Sequence, residues 1–112
     1  MTEFNADNEF GLPVPFLNQV VTLAIQYMHV ERIWVFGSRA KGTHRKNSDV
    51  DLAFEFGNNR EISWAKFCAE LDENGLVLVK IDCIDFLRCQ AELRQEILTS
   101  GKIIYEKNCL SL

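Results

Sequence analysis

Three features of this 112-residue chain predict an α/β (α+β) architecture, a small mixed β-sheet flanked by helices. Apolar stripes at helical spacing take turns along the chain with short β-branched and aromatic runs. One of those runs alternates strictly between apolar and polar, and glycine or proline punctuates most junctions. The length suits one domain around one core, so a single domain over residues 1–112 is expected, with an ordered core of about 13–107.

The elements follow in order. Pro13 and Pro15 can begin a helix but not continue one, and Phe16, Val20, Leu23, Ala24 and Tyr27 then recur at helical spacing. "RIWVF", Arg32 to Phe36, is short, β-branched and aromatic and stops at Gly37, the pattern of a buried strand. In "DVDLAFEF", Asp49 to Phe56, Val50, Leu52, Phe54 and Phe56 point one way and Asp49, Asp51, Ala53 and Glu55 the other. Gly57, Asn58 and Asn59 break that strand, and Ile62, Ala65, Cys68 and Leu71 form a second helical stripe ending before Gly75. "LVLVKIDCI", Leu76 to Ile84, is the next strand. Phe86, Gln90, Leu93, Ile97 and Leu98 then mark a helix that Gly101 can end, before the short strand "KIIYE". The order is α-β-(loop or short helix)-β-α-β-α-β, which leaves strand order open.

Composition removes several function classes. A net charge of −4 and a pI near 5.1 do not suit a protein that coats long nucleic acid, so no extended nucleic-acid surface is expected. No apolar run approaches the roughly 20 residues that span a bilayer. The N-terminus "MTEFNADNEF" lacks the basic start and apolar centre of a signal peptide, so a cytoplasmic protein without membrane attachment is expected. Cys68, Cys83, Cys89 and Cys109 form no CxxC pair and have no histidine at zinc-ligand spacing; they read as buried thiols. Trp34 on a strand and Trp64 on a helix read as packing residues.

Against that acidic background, "VFGSRAKGTHRKNSDVDLAF" concentrates Arg39, Lys41, His44, Arg45 and Lys46 directly upstream of two aspartates. Two residues apart on a strand, Asp49 and Asp51 share a face with Cβ atoms about 7 Å apart. Converging carboxylates repel one another, and hard oxygen ligands at this density suit Mg²⁺ or Mn²⁺. Mg²⁺ keeps much of its hydration and is commonly completed by substrate phosphates, so the pair points to a nucleotide. Gly37 and Gly42 let the backbone approach a ligand, the Ser38 hydroxyl can bind phosphate oxygen, and the basic side chains supply the opposing field. A P-loop is excluded: Gly37 to Gly42 has the GxxxxG spacing, but Thr43 stands where the lysine belongs.

Gly37-Ser38, ten intervening residues and then Asp49-Val50-Asp51 resemble the signature of the DNA polymerase β-type nucleotidyltransferase superfamily. At this length the chain is similar to the minimal nucleotidyltransferase (MNT) domain, the kind paired with HEPN proteins. The resemblance runs from about Phe16 to Glu106 and implies the nucleotidyltransferase fold. It implies that Gly37 and Ser38 hold the triphosphate of an incoming NTP, with Arg39 and Lys41 as candidates for charge stabilisation. It further implies that Asp49 and Asp51 bind two Mg²⁺ ions, Mn²⁺ being a possible substitute. A third carboxylate comes from a later strand in that family; "VKIDCIDF" offers Asp82 and Asp85. Asp82 is preferred because the family's third acid sits within such a strand and is followed by apolar residues, as Cys83 and Ile84 are here; the competing reading makes Asp82 a strand-end carboxylate and Asp85 a cap of the final helix.

The activity so implied is transfer of NMP, AMP from ATP, to a hydroxyl, with Asp82 assisting deprotonation. The acceptor implied by the family is a tyrosine of a small helical HEPN toxin. A homodimer competes for the same exposed surface. The alternative is a nucleotide-binding antitoxin or interaction module that acts by contact without catalysis. Transfer to a small molecule, as in aminoglycoside-modifying enzymes, suits the small size less well.

Overall fold

The computed structural model describes residues 10–56, 64–73 and 77–107. The first helix, α1 (Val14–Tyr27), starts behind Pro13 and buries Phe16, Leu17, Val20, Val21, Leu23 and Ala24 along one side. A strand, β1 (Val30–Phe36), and a single turn of helix, α2 (Ser38–Lys41), follow. Next come β2 (Val50–Phe56), α3 (Trp64–Glu73), β3 (Ile81–Asp85), α4 (Ala91–Ser100) and β4 (Lys102–Glu106). The four strands form one mixed sheet in the order β3-β2-β1-β4, in which β2 and β3 run parallel and the other neighbours antiparallel.

The alternation expected of "DVDLAFEF" sets the two faces of this sheet. Val50, Leu52, Phe54 and Phe56 join Ile33 and Val35 of β1 in the main core, under residues of α1 and α3. Phe16, Phe54 and Phe67 are fully buried there, and truncating any one of them to alanine costs about 3–5 kcal/mol. Trp64 meets Phe54 and Phe56 edge-on at 5.7 and 5.3 Å. The opposite face carries a smaller cluster of Trp34, Phe36, Ala53 and Phe86 with Ile97 of α4. Trp34 stacks on Phe86 at 4.5 Å, so both tryptophans pack as their positions predict.

Three boundaries differ from the sequence reading. The strand expected over 76–84 begins only at Ile81, and Leu78 is 98% exposed. A parallel strand needs a ladder, and β2 begins at Val50, which pairs with Ile81, so the upstream residues have no strand beside them. The last helix starts at Ala91 and not at Phe86, because the Asp85 carboxylate accepts the Leu87 N–H and turns the chain, dropping Phe86 onto Trp34. β1 begins two residues early, at Val30, where it pairs with Phe56. Gly57 to Asn59, Ile62, Gly75, Leu76 and Cys109 lie outside the described residues. Cys68, Cys83 and Cys89 are free thiols, and among the described residues no helix is long and apolar enough to cross a membrane.

Candidate active site

The end of β1, the turn after it and the starts of β2 and β3 meet at one end of the sheet. Gly37 leaves β1 with φ of 75° and ψ of −153°, a conformation that a side chain would strain. Its missing side chain also makes room: a Cβ there would lie 2.4 Å from Asp51 Oδ2. The turn and the carboxylate are therefore in direct apposition. Ser38 opens α2, and its carbonyl accepts the N–H groups of Gly42, at φ of 76°, and Thr43.

Register then assembles the acids. Asp51 is the cross-strand partner of Phe36 on one side and of Asp82 on the other. Asp85 pairs with Phe54, three residues further along, and its carboxylate is engaged by the Leu87 N–H. The parallel ladder thus brings Asp82, and not Asp85, to Asp51. Asp49 lies one residue ahead of β2 and is exposed.

Electrostatics report the crowding. The Asp51 carboxyl is pushed up to about 6, first by burial and then by the negative charges of Asp82 and Asp49, with a smaller push from Glu96 of α4. Among the described residues no three His, Cys, Asp or Glu side chains are drawn together closely enough to hold an ion unaided. Two lysines balance part of the charge: Lys80 Nζ is 3.4 Å from Asp82 Oδ1, and Lys41 Nζ is 3.6 Å from Glu96 Oε2. The acids of this end are anionic oxygen donors short of positive charge, a donor set that fits a divalent cation whose remaining ligands come from substrate.

Arg39, a candidate for charge stabilisation near the phosphates, is buried. Only 3% exposed, it turns inward and donates to the Phe10 carbonyl at 2.8 Å and the Ser48 carbonyl at 2.9 Å. Longer contacts reach the carbonyls of Gly11 and Lys46. Because the positions before Asp49 form an irregular loop, their carbonyls lack ladder partners, and the planar guanidinium gathers them. His44 likewise packs against the N-terminal segment; a Cβ on Gly11 would come 2.7 Å from its Nε2. Of the predicted phosphate group, Gly37, Ser38 and Lys41 remain at the site. Glu96 was missed, since nothing in a helical stripe marks which exposed carboxylate will meet a loop distant in sequence.

Known structures share this fold. A toxin–antitoxin structure with AMP-PNP superposes with a TM-score of 0.62 at 24% identity, covering 82% of this chain and 74% of that one. A candidate minimal nucleotidyltransferase gives 0.61 at 28% identity, covering 77% and 86%. A tri-AMPylated HEPN toxin in complex with MNT antitoxin, from Shewanella oneidensis, gives 0.57 at 19% identity, covering 82% and 71%. Among curated proteins no sequence matches this chain. The family model described as polymerase beta, nucleotidyltransferase matches residues 18–109, which contain the whole acidic site and the Gly-Ser turn. The chain therefore belongs to the polymerase β nucleotidyltransferase family.

Proposed function

We propose that this protein is a Mg²⁺-dependent nucleotidyltransferase that moves AMP from ATP to a tyrosine hydroxyl of a HEPN partner in a toxin–antitoxin pair, as one catalytic domain. The observation that carries the reading is the juxtaposition of Asp51 with Asp82 across β2 and β3, directly behind the Gly37 turn. The solved relatives that hold AMP-PNP or an AMPylated HEPN toxin support the choice of nucleotide and acceptor.

Asp49, Asp51 and Asp82 would hold the Mg²⁺ ions, or Mn²⁺ in their place. Bound there, the ions would acidify the acceptor hydroxyl and neutralise the departing pyrophosphate. The chain's own groups do the rest. Gly37 admits the triphosphate close to the backbone, the Ser38 hydroxyl donates to a phosphate oxygen, and Lys41 offsets its charge. The acceptor oxygen bonds to the α-phosphorus, the bond to the bridging oxygen breaks, and pyrophosphate leaves. Asp82 takes the hydroxyl proton.

The test is transfer of label from α-³²P-ATP with Mg²⁺ to the purified product of the neighbouring gene, with Asp49→Asn as control. Label on the neighbour that vanishes in the control is the expected result. A complex with the neighbour that survives Asp49→Asn, without label in either case, would replace catalysis by contact neutralisation.

A further inference from the structure

We propose that Glu96 of α4 is a positioning residue for Lys41: in the nucleotide-free protein its carboxylate occupies the ammonium that a polyphosphate takes over on binding, so Glu96 sets nucleotide affinity. The inference rests on the nucleotidyltransferase reading and extends it to an element outside the Gly-Ser and aspartate motif.

The geometry is specific. Lys41 is the last residue of α2, and its Nζ lies 3.6 Å from Glu96 Oε2 on α4, whose Ile97 packs with Trp34 and Phe36 of the strand that leads into the motif. Both partners are about half exposed, at 48% and 44%, so neither is locked by packing and the pair can be exchanged. Other basic groups are placed differently: Arg39 is spent on backbone carbonyls, Lys80 pairs with Asp82 at 3.4 Å, and Arg45 and Lys46 are exposed further along the loop. Lys41 is therefore a cation that an incoming triphosphate must win from a carboxylate.

Two effects of Glu96 then act in the same direction. Its ion pair must be broken, and its charge repels the phosphates. An exposed pair contributes modestly, so replacing Glu96 by glutamine should tighten nucleotide binding about three- to fivefold at low salt. The gain should shrink as salt screens both effects.

The experiment is calorimetric titration of the full chain with Mg²⁺ and α,β-methylene-ATP, in wild type, Glu96→Gln, Lys41→Met and the double variant, each checked by thermal melting. A gain in Glu96→Gln that is clearly smaller in the Lys41→Met background is expected, because the ion-pair part of the effect runs through the lysine while the repulsion of the phosphates by the carboxylate remains. An equal gain in both backgrounds, or no gain, overturns the role of Glu96 while leaving the nucleotide site standing. A lower melting temperature without tighter binding would make the pair merely structural, and overturns it too. Wild type that binds no Mg²⁺-nucleotide removes the underlying reading and this inference with it.

Discussion

Replacing Arg39 by methionine should destabilise the fold by about 3 kcal/mol and disorganise the site it does not touch. The magnitude follows from its contacts. Two short bonds, at 2.8 Å to Phe10 and 2.9 Å to Ser48, each contribute about 1.5–3 kcal/mol for a charged donor. The longer contacts, at 3.2 Å to Gly11 and 3.4 Å to Lys46, add little. Against this, methionine fills similar volume and spares the desolvation of a guanidinium, whose tendency to stay charged is lowered by its burial. Lysine keeps the charge but carries no planar fork, so Arg39→Lys should recover only about 1 kcal/mol. Urea unfolding at pH 7 measures both. Loosening Ser48 also loosens Asp49, so kcat/KM should fall about tenfold in the same variant. A loss below about 1 kcal/mol with an unchanged m-value would refute the argument, because the guanidinium would then not be what gathers the loop.

Two other perturbations act on the acidic centre. Gly37→Ala must place a Cβ 2.4 Å from Asp51 Oδ2 at a φ of 75°, so it should cost about 2–3 kcal/mol in a thermal melt and abolish nucleotidyl transfer. Asp51 is raised from 3.8 to about 6, so the folded state holds its proton more tightly than the unfolded chain does. This group's contribution to stability is therefore greatest below about pH 4 and declines as pH rises through 6. In metal-free buffer Asp51→Asn should consequently raise the urea midpoint at pH 7.5 and have little effect at pH 4, while eliminating transfer. A variant less stable than wild type at pH 7.5 would refute the sign.

Much of the fold was legible because its signals are local. The alternation of Val50, Leu52, Phe54 and Phe56 reports a half-buried strand wherever that strand ends up, and the Pro13 start of α1 depends on backbone chemistry alone. The β3 boundary was not local. "LVLV" is as β-prone as "IDCI", and only the arrival of β2 at Val50 decides where pairing begins. Asp82 was preferred over Asp85 on the resemblance alone; the parallel register is what sets Asp82, and not Asp85, beside Asp51. The inward placement of Arg39 was not legible because a basic residue in a Gly-rich loop reads as a ligand group, whereas the carbonyls it satisfies come from Phe10 and Ser48, which adjoin it only in three dimensions. Lys41 and Glu96 teach the converse: the motif marks the lysine, but its partner is visible only once α4 is docked.

The basic loop is consequently a weaker counter-field than its sequence suggests. Arg39 points inward, His44 packs on Gly11, and Lys41 is already paired. Facing them are Asp49, Asp51 and Asp82, with Glu96 close by, and the Asp51 carboxyl is raised by burial first and by these negative charges second. A triphosphate brings about four more negative charges to the same place. Lysine side chains in water-exposed pairs offset at most about 1 kcal/mol each, too little to bring those groups together. Arg45 and Lys46 are exposed on the same loop, where solvent and salt screen them, so divalent cations are the chief source of compensation: ATP should bind at least about tenfold more weakly in EDTA than in Mg²⁺, and Asp51→Asn should narrow that ratio by weakening binding in Mg²⁺ and easing repulsion in EDTA. Equal affinity with and without the metal would mean that the triphosphate lies away from the aspartates, and the assignment of Gly37, Ser38 and Lys41 to its phosphates would fall with it.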